Sequence, residues 1–338
     1  MKNYIISLED TEKNTAAPKA KVDVVKYLEE LGFVNKYLKF ETDSSLKSKI
    51  QKYFALKITV PSFFKKHRDM DALVLQYPLY STVITKAIID NARKYTNAKL
   101  YFVIHDLESL RLFRDNKEFI REEVGILNGS DGLVGHNDKM NEWLKDNGVN
   151  VSIANLEIFD YDNPQGIQSG YPYDGSLCFA GNLKKADFLN KLDIKHQLFL
   201  MGPNPQNNYG ECINYEGQYT PEEVPAHLNH SFGLVWDGKS VDKCDGVFGE
   251  YMRYNNPHKV SLYLSSGIPV IIWKDAALAD FVEKNKVGIT VESLEDVDSI
   301  LDELSSEQYN EIKSNTQVIA EKMRSGYYIK KAIRQLIH

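Results

Sequence analysis

The stretch Asn255–Ile272, "NNPHKVSLYLSSGIPVII", contains a complete connection from a helix to a strand. Polar residues and a proline lead into a run with apolar side chains at helical spacing, and this run ends at Gly267. A Gly-Ile-Pro bend then precedes a short apolar segment that has the composition of a buried strand. Repeated along a chain, such connections are typical of a parallel sheet covered by helices.

The same alternation extends outward from this stretch in both directions. In the first half, the apolar segments Ala72–Leu79 and Ala98–Leu107 flank a helical pattern, "STVITKAIIDNARKY". After "DNPQGIQSGYPYDG", a linker-like segment rich in Gly, Pro and Asp, the pattern begins again with the strand "SLCFAGNL", a helix and the strand "HQLFLMG". Because 338 residues exceed what one core usually supports, we predict an α/β chain of two doubly wound, Rossmann-like domains.

The composition excludes several classes of protein. A net charge of −6 gives no overall attraction to nucleic acid or to an anionic membrane. No apolar run reaches the roughly 18 residues of a membrane span, and the N-terminus lacks the pattern of a signal peptide. Three widely spaced cysteines fit neither a zinc site nor a disulfide framework, which favours a cytoplasmic protein. G-x-G-x-x-G, Walker and G-x-S-x-G motifs are missing as well.

Ligands of doubly wound sheets bind at the carboxyl ends of the strands, so the candidate residues are sought there. The loop after the first strand contains Asn14 and Thr15, which either contact a ligand or form a simple loop in which Thr15 caps the next helix. His105 and Asp106 follow the strand "LYFVI". Either residue is chemically suited to act as a general base, and Asp106 is equally suited to cap a helix starting at Leu107.

Basic residues follow the first strand of the second half, in "FAGNLKKADF". Gly181 lets the backbone approach a ligand closely, and Lys184 and Lys185 offer charge to a phosphate, unless they are merely a solvated pair. Asp237 ends a later strand in "VWDG" and has the character of a turn residue.

The polar start of Asn255–Ile272 has two interpretations. It is either an ordinary capped helix or a helix start that faces an anionic ligand. Asn255 and Asn256 precede Pro257, which suits a first helical turn, and Lys259 adds a full charge beside the free N–H groups. This combination is suited to binding a diphosphate.

The stretch also resembles a known motif. "NPHKVSLYLSSGIPVII" is similar to the C-terminal nucleotide-sugar motif P-x-K-x-x-x-Y-L-x-x-G-x-P-V-I of GT-B glycosyltransferases. Together with "LYFVIHDLESL", "SDGLVGHNDKMNEWLKDNGVNVS", "FAGNLKK" and "FGLVWDG", it resembles the bacterial glucosyltransferases that add the second sugar to serine-rich-repeat adhesins, and their galactofuranosyltransferase-like relatives. The matching stretches run in order over most of the chain.

The resemblance implies a GT-B fold, with two doubly wound domains facing across a cleft. It implies an acceptor-side domain over residues 1–160 and a nucleotide-sugar-binding domain over 161–320. A C-terminal helix over 321–338 would pack back on the first domain. The acceptor would enter on the side of His105 and Asp106.

The resemblance also assigns roles in binding UDP. Thr15 would lie near the donor diphosphate, as would Gly181 and Asn182 with Lys185, or with Lys184 if the register slips. Tyr215 or Tyr219 would lie near the uracil or ribose, and Lys259 with Asn255 or Asn256 would hold the diphosphate. Many retaining GT-B enzymes contact ribose through a glutamate at the position of Leu262. Here Tyr219 or Glu250 would have to replace it.

The activity implied is metal-independent transfer of a hexose, glucose favoured, from a UDP-sugar to a sugar acceptor such as GlcNAc on a serine-rich glycoprotein. Beyond the UDP-sugar no cofactor is expected, and the protein is expected to be a cytoplasmic, bacterial homo-oligomer, associated with a surface-glycosylation complex. Alternatives are galactofuranosyl or other hexosyl transfer in surface-polysaccharide synthesis, a GT-B epimerase or phosphorylase, and a non-catalytic accessory subunit that binds a nucleotide sugar.

Overall fold

The computed structural model describes residues 2–8, 16–41, 43, 45–168, 172–206 and 209–337, with the side chains of 16–18 left out. The chain divides into two units. The first contains Ala17–Leu156, the strand that precedes it and the residues from Ile329 onward, and the second contains Glu157–Tyr328. The sequence predicted boundaries at 161 and 321, whereas the two units change over at Glu157 and again at Ile329.

The first unit is built on six parallel strands in the order β2-β1-β3-β4-β5-β6. Every residue of β3 is buried, as expected for a strand covered on both faces. The strands are β1 Asn3–Leu8, β2 Phe33–Leu38, β3 Ala72–Tyr77, β4 Lys99–Ile104, β5 Gly132–Gly135 and β6 Ser152–Asn155. The helices are α1 Ala16–Glu29, α2 Leu46–Phe54, α3 Val60–Lys66, α4 Thr82–Tyr95, α5 Glu108–Arg111, α6 Lys117–Leu127 and α7 Asp138–Asp146, with a π-helical turn Ala55–Thr59 between α2 and α3.

The second unit has six parallel strands in the order β12-β11-β10-β7-β8-β9. The strands are β7 Leu177–Ala180, β8 Leu198–Met201, β9 Ile213–Gly217, β10 Phe232–Val235, β11 Val270–Trp273 and β12 Gly288–Val291. The helices are α8 Val224–His227, α9 Gly246–Tyr251, α10 His258–Ser265, α11 Ala279–Asn285, α12 Val297–Glu303 and α13 Ser306–Arg324. The last helix, α14 Tyr327–Ile337, begins at the end of the second unit and belongs to the first unit from Ile329 onward. Two parallel sheets confirm the predicted α/β, doubly wound class.

Three local predictions differ from the structure. The helix expected between β7 and β8 is replaced by two short 3₁₀ turns, Leu183–Lys185 and Asp187–Asn190. Pro257 is the extended N-cap residue of α10 rather than part of its first turn. The edge strand β2 was not predicted, because four of its six residues are at least partly exposed and it lacks a continuous apolar run.

The strand order of the second unit reverses beside its first strand. The chain runs from β7 through β8 to β9 on one side, then crosses to β10 and continues through β11 to β12 on the other. Such a reversal leaves a crevice at the carboxyl ends of the two central strands, here β7 and β10. The end of β7 and the residues after β10 are therefore where a ligand of this unit is expected.

Helix α10 is fixed beside this crevice by one buried tyrosine. The ring of Tyr263 packs on Gly233 of β10, where the Cβ of any other residue would overlap it. Its hydroxyl oxygen accepts a hydrogen bond from the Ala180 N–H at the end of β7, with an N–O distance of 2.6 Å. Lys259 lies one helical turn earlier on the same face of α10, so the contacts of Tyr263 direct Lys259 toward both strands.

Candidate functional site

Lys259 is the central charged group at the carboxyl edge of the second sheet. Its ammonium nitrogen lies 3.2 Å from both carboxylate oxygens of Asp237 and 3.2 Å from the carbonyl oxygen of Trp236, just after β10. It also lies 4.4 Å from the centre of the Phe179 ring in β7. The Lys259 and Asp237 side chains are 18% and 19% exposed, so this cation is accessible from the solvent while being held at the crevice.

Gly181 continues the site from the end of β7. A Cβ at this position would make only ordinary contacts with the stem of Lys259 and with Phe179, so the fold itself tolerates a side chain here. The neighbouring Gly202 follows β8 with a φ of 145°, and its Cβ would overlap the Gly181 carbonyl oxygen. Close packing of these two loop backbones therefore requires glycine at 202 but not at 181.

The loop after β7 is ordered by Asn182. Its side-chain oxygen accepts from the Lys184 N–H at 3.1 Å and from the Asn204 side-chain amide at 3.0 Å, which ties the loops after β7 and β8 together. Lys184 and Lys185 are both exposed. The Lys185 ammonium stands 4.1 Å from the centre of the Phe248 ring in α9, a cation–π distance.

The two asparagines before α10 differ in their surroundings. Asn256 is buried, and its amide donates to the Glu157 carbonyl at 3.3 Å. The Asn255 side-chain oxygen is also buried, and no donor among the described residues reaches it. Because a buried acceptor without a partner is costly, this oxygen is suited to receive a hydrogen bond from a ligand.

The two candidate tyrosines lie at and after the edge strand β9. The Tyr215 hydroxyl donates to the Gly202 carbonyl at 3.0 Å, so this ring contacts the loop after β8, which packs against Gly181. The Tyr219 ring instead stacks on His227 with a centroid distance of 3.7 Å. Of the two, Tyr215 is connected to the crevice by contacts through Gly202 and Gly181.

Tyr219 and His227 line a separate pocket of about 550 Å³. It opens beside Asp174 and Ser176, which precede β7, and beside His230, which precedes β10, and thus includes the amino ends of these strands. The remaining lining residues are Phe199, Glu216, Ala226 and Asn229. Neither Lys259 nor the candidate residues of the loop directly after β7, Gly181 to Lys185, line this pocket.

The candidate bases of the first unit belong to two different networks. His105 shares a hydrogen bond of 2.7 Å between its Nε2 and the side-chain oxygen of Gln76. The Gln76 amide nitrogen donates to Ser7 and to the carbonyl of Lys21, at 2.8 and 3.1 Å. Gln76 therefore presents its oxygen to His105, so His105 carries its proton on Nε2, and Nδ1 is the basic nitrogen of the neutral ring.

Asp106 lies beside a half-buried arginine, Arg111. Arg111 donates to Asp106 at 3.0 Å and also pairs with Glu108. Burial opposes the charge of Arg111, but the two carboxylates raise the pKa of its guanidinium above the usual value. Burial and the Asp106 charge also raise the pKa of the Tyr80 hydroxyl to about 12.

Asp106 does not cap the following helix. This helix, α5, begins at Glu108 rather than at Leu107, and Leu107 is its N-cap residue. The Glu123 carboxylate accepts from the N–H groups of Glu108 and Ser109, at 3.3 and 2.8 Å. Capping by Asp106, one of the two interpretations of the sequence, is therefore wrong. Thr15 and Asn14 lie outside the described residues.

Comparisons with known proteins place this chain in a family. Residues 2–158 match the N-terminal domain, and 177–336 the C-terminal domain, of the proteins described as glucosyltransferase 3-like. The chain belongs to the glucosyltransferase 3-like family. It is a glycosyltransferase, and the resemblance seen in the sequence is confirmed.

Two relatives and one solved structure are similar to this chain. The beta-1,6-galactofuranosyltransferase WbbI of Escherichia coli (strain K12) is 30% identical over 83% of each chain. Glucosyltransferase 3 of Streptococcus gordonii is 25% identical over 78% of each chain. A solved alpha-glucosyltransferase (AGT), in complex with UDP, superposes with a TM-score of 0.57 at 13% identity, covering 99% of this chain and 100% of that one. This likeness confirms the GT-B fold.

Several residues of this glucosyltransferase 3-like protein were not among the predicted site residues. Asp237, Gln76 and Arg111 contact Lys259, His105 and Asp106, respectively. Glu250 lies 3.5 Å from Arg253 in an ion pair.

No group of three or more His, Cys, Asp or Glu residues in the described ranges is placed to hold a metal ion. Within the same ranges, every helix is too short or too polar to cross a membrane.

Proposed function

We propose that this glycosyltransferase moves a hexose from a UDP-sugar, with glucose favoured, to a sugar acceptor such as GlcNAc on a serine-rich glycoprotein. The observation behind this proposal is the position of Lys259. This residue lies in the first turn of α10, at the strand-order reversal of the second sheet. A lysine and a helix N-terminus together attract a diphosphate. The UDP complex of the structurally similar AGT and the names of the glucosyltransferase 3 relatives support this assignment.

In this proposal different groups of the second unit bind different parts of the UDP-sugar. Lys259 and the N–H groups of α10 bind the diphosphate, with Lys185, or Lys184 in its place, as a second cation. The buried oxygen of Asn255 accepts from a ribose or sugar hydroxyl, because it needs a donor that phosphate oxygens cannot supply. Asn256 supports the loop through Glu157.

The nucleoside end of UDP is assigned to the tyrosines. Tyr215, which contacts Gly202, is proposed beside the uracil or ribose, and Tyr219 is the alternative. In this proposal the ligand lies close to the backbone of Gly181 and Asn182, between the tyrosines and Lys259. Thr15 is proposed near the diphosphate on the family resemblance, not on its own geometry.

We propose that departure of UDP needs no metal ion. Lys259 and the positive end of α10 would neutralise the charge that develops on the leaving diphosphate. On the acceptor side, His105 or Asp106 would take the proton of the attacking hydroxyl. Arg111 pairs with Asp106 at 3.0 Å and holds this carboxylate in place.

Transfer of galactofuranose into a surface polysaccharide is the second candidate. It is favoured by the 30% identity to the galactofuranosyltransferase WbbI. The expected homo-oligomer, cytoplasmic location and association with a surface-glycosylation complex remain part of the proposal.

Calorimetric titration separates these alternatives. The protein is titrated with UDP, UDP-glucose, UDP-GlcNAc, UDP-galactose and UDP-galactofuranose, first in EDTA and then with magnesium. We expect UDP to bind in EDTA and UDP-glucose to bind most tightly of the sugars. Tightest binding of UDP-galactofuranose would favour the second candidate. Failure of all five ligands to bind would overturn the donor site.

A further inference from the structure

Positive charge is concentrated in one segment of the first unit. The residues from Leu46 to Arg68 include seven lysines and arginines and no aspartate or glutamate, although the whole chain has a net charge of −6. The segment comprises α2, the π-helical turn and α3. Its basic residues are Lys47, Lys49, Lys52, Lys57, Lys65, Lys66 and Arg68.

The same segment exposes large apolar side chains. Five of them are between 48% and 74% exposed and recur at three- or four-residue intervals, apart from one adjacent pair, so that they form one stripe along the helical surface. We call this stripe the apolar face of α2. It consists of Leu46, Ile50, Tyr53, Phe54 and Ile58.

The inward side of α2 is unusually polar for a helix of a globular domain. Its only fully buried residue is Ser48, whose hydroxyl donates to the Glu41 carbonyl, and the adjoining turn buries Ala55. A surface helix normally turns its apolar stripe toward the core and its polar stripe toward water. In α2 this arrangement is inverted, so the core of the unit does not explain the apolar face.

Lysines border and interrupt the apolar face. At helical spacing, Lys47 and Lys49 flank it on opposite sides and Lys57 lies within it. Lys47 pairs with Glu41, whereas no described carboxylate lies within ion-pair distance of Lys49 or Lys57. Cations beside exposed aromatic and aliphatic side chains are the composition of helices that lie in the interface of anionic bilayers.

We propose that the apolar face of α2 docks the protein on an anionic lipid surface. Ile50 and Phe54 would enter the acyl boundary while Lys49 and Lys57 contact the anionic headgroups. Tyr53 would lie at headgroup level, where amphipathic rings are favoured. A second copy of the chain fits this face less well, because it would bring Lys49 and Lys57 of one copy against the same lysines of the other. The inference does not depend on the proposed transferase reaction.

Vesicle flotation tests the proposal with the full-length protein. The vesicles consist of phosphatidylcholine alone or of phosphatidylcholine mixed with phosphatidylglycerol. We expect binding only to the mixed vesicles, and weaker binding at high salt. The double variants Ile50→Ser/Phe54→Ser and Lys49→Glu/Lys57→Glu should each bind at least about tenfold more weakly.

Matched controls come from the second unit. Val318→Ser removes an apolar side chain that is 54% exposed on α13, and Lys284→Glu reverses an exposed lysine on α11. Both should float like the unmodified protein, and circular dichroism of all variants checks their folding. No binding to mixed vesicles, or binding unaffected by the two double variants, overturns the proposal. If Ile50→Ser/Phe54→Ser instead dissociates an oligomer during sedimentation and no vesicle binding is found, the face joins copies of the chain.

Discussion

The Lys259 ammonium lies 3.2 Å from both carboxylate oxygens of Asp237, and both side chains are less than one fifth exposed. This pair joins the start of α10 to the loop after β10, at the reversal of strand order. An anionic ligand entering the crevice would compete with Asp237 for the ammonium group. The carboxylate thus holds Lys259 in place in the free protein. When a diphosphate binds, the ammonium group would exchange part of its contact with Asp237 for a contact with the ligand.

Replacing Lys259 should weaken UDP binding more than it weakens the fold. In the variant Lys259→Ala we expect UDP affinity to fall about ten- to a hundredfold, because a hydrogen bond to a charged group contributes roughly 1.5–3 kcal/mol. Calorimetric titration in EDTA measures the change. Lys274→Ala, which removes an exposed lysine paired with Glu292 after β11, is the matched control and should leave UDP affinity unchanged. Equal affinity in Lys259→Ala and the unmodified protein would remove Lys259 from the site.

Asp237→Asn provides the opposite test of the same pair. It retains Lys259 and removes the competing charge, so UDP should bind at least as tightly as in the unmodified protein. A loss of UDP affinity comparable to that of Lys259→Ala would show that Asp237 is needed to position the lysine.

The two glycines at the ends of β7 and β8 should respond differently to alanine. Gly181→Ala should leave the thermal midpoint nearly unchanged, since its Cβ would make only ordinary contacts, but should reduce UDP affinity because that Cβ takes up space beside Lys259. Gly202→Ala should destabilise the protein by about 2–4 kcal/mol, because its φ of 145° and the Gly181 carbonyl leave no room for a side chain. Calorimetric unfolding and UDP titration measure the two effects. Unchanged UDP affinity in Gly181→Ala would mean that no ligand approaches this backbone.

Asp106 and Glu108 share Arg111, which allows a base to be distinguished from a structural ion pair. Asp106→Asn should leave UDP binding near normal and lower turnover by about a hundredfold or more if Asp106 takes the acceptor proton. Glu108→Gln weakens the same ion-pair network without removing that carboxylate, so it should retain most of the activity. Similar losses in both variants would assign the effect to Arg111, and His105→Gln would then test the remaining candidate base.

The sequence was sufficient to predict the two sheets and the position of Lys259, but not the partner of that lysine. Continuous apolar runs such as β3 and β4 can be recognised as strands from a few neighbouring residues. The Pro-x-Lys start of α10 can be recognised in the same way. Asp237 resembles an ordinary turn residue along the chain. Its proximity to Lys259 depends on α10 packing against β10, where Tyr263 lies on Gly233. The helix expected after β7 was wrong because the capping hydrogen bonds of Asn182 support a 3₁₀ turn instead. Such long-range pairings are set by topology, which local patterns do not contain.

Lys313 on α13 should make the stability of the protein depend on pH. Burial lowers the pKa of its ammonium group from 10.5 to about 8. Between these two values the unfolded chain holds a proton that the folded chain has lost, so the free energy of unfolding should rise with pH from about 8 to about 10.5. Below pH 8 both states are charged, and the cost of burying the charge is constant.

Lys313→Met should remove that cost. At pH 7 we expect the variant to be more stable by about 2 kcal/mol, because a methionine of similar length needs no solvation of a charge. Its stability should also lose the rise between pH 8 and 10.5, whereas Lys322→Met, an exposed lysine on the same helix, should change neither. Denaturant unfolding at a series of pH values measures both effects. If Lys313→Met is less stable than the unmodified protein at pH 7, the ammonium group is favourably bound in the fold, and burial does not dominate its energetics.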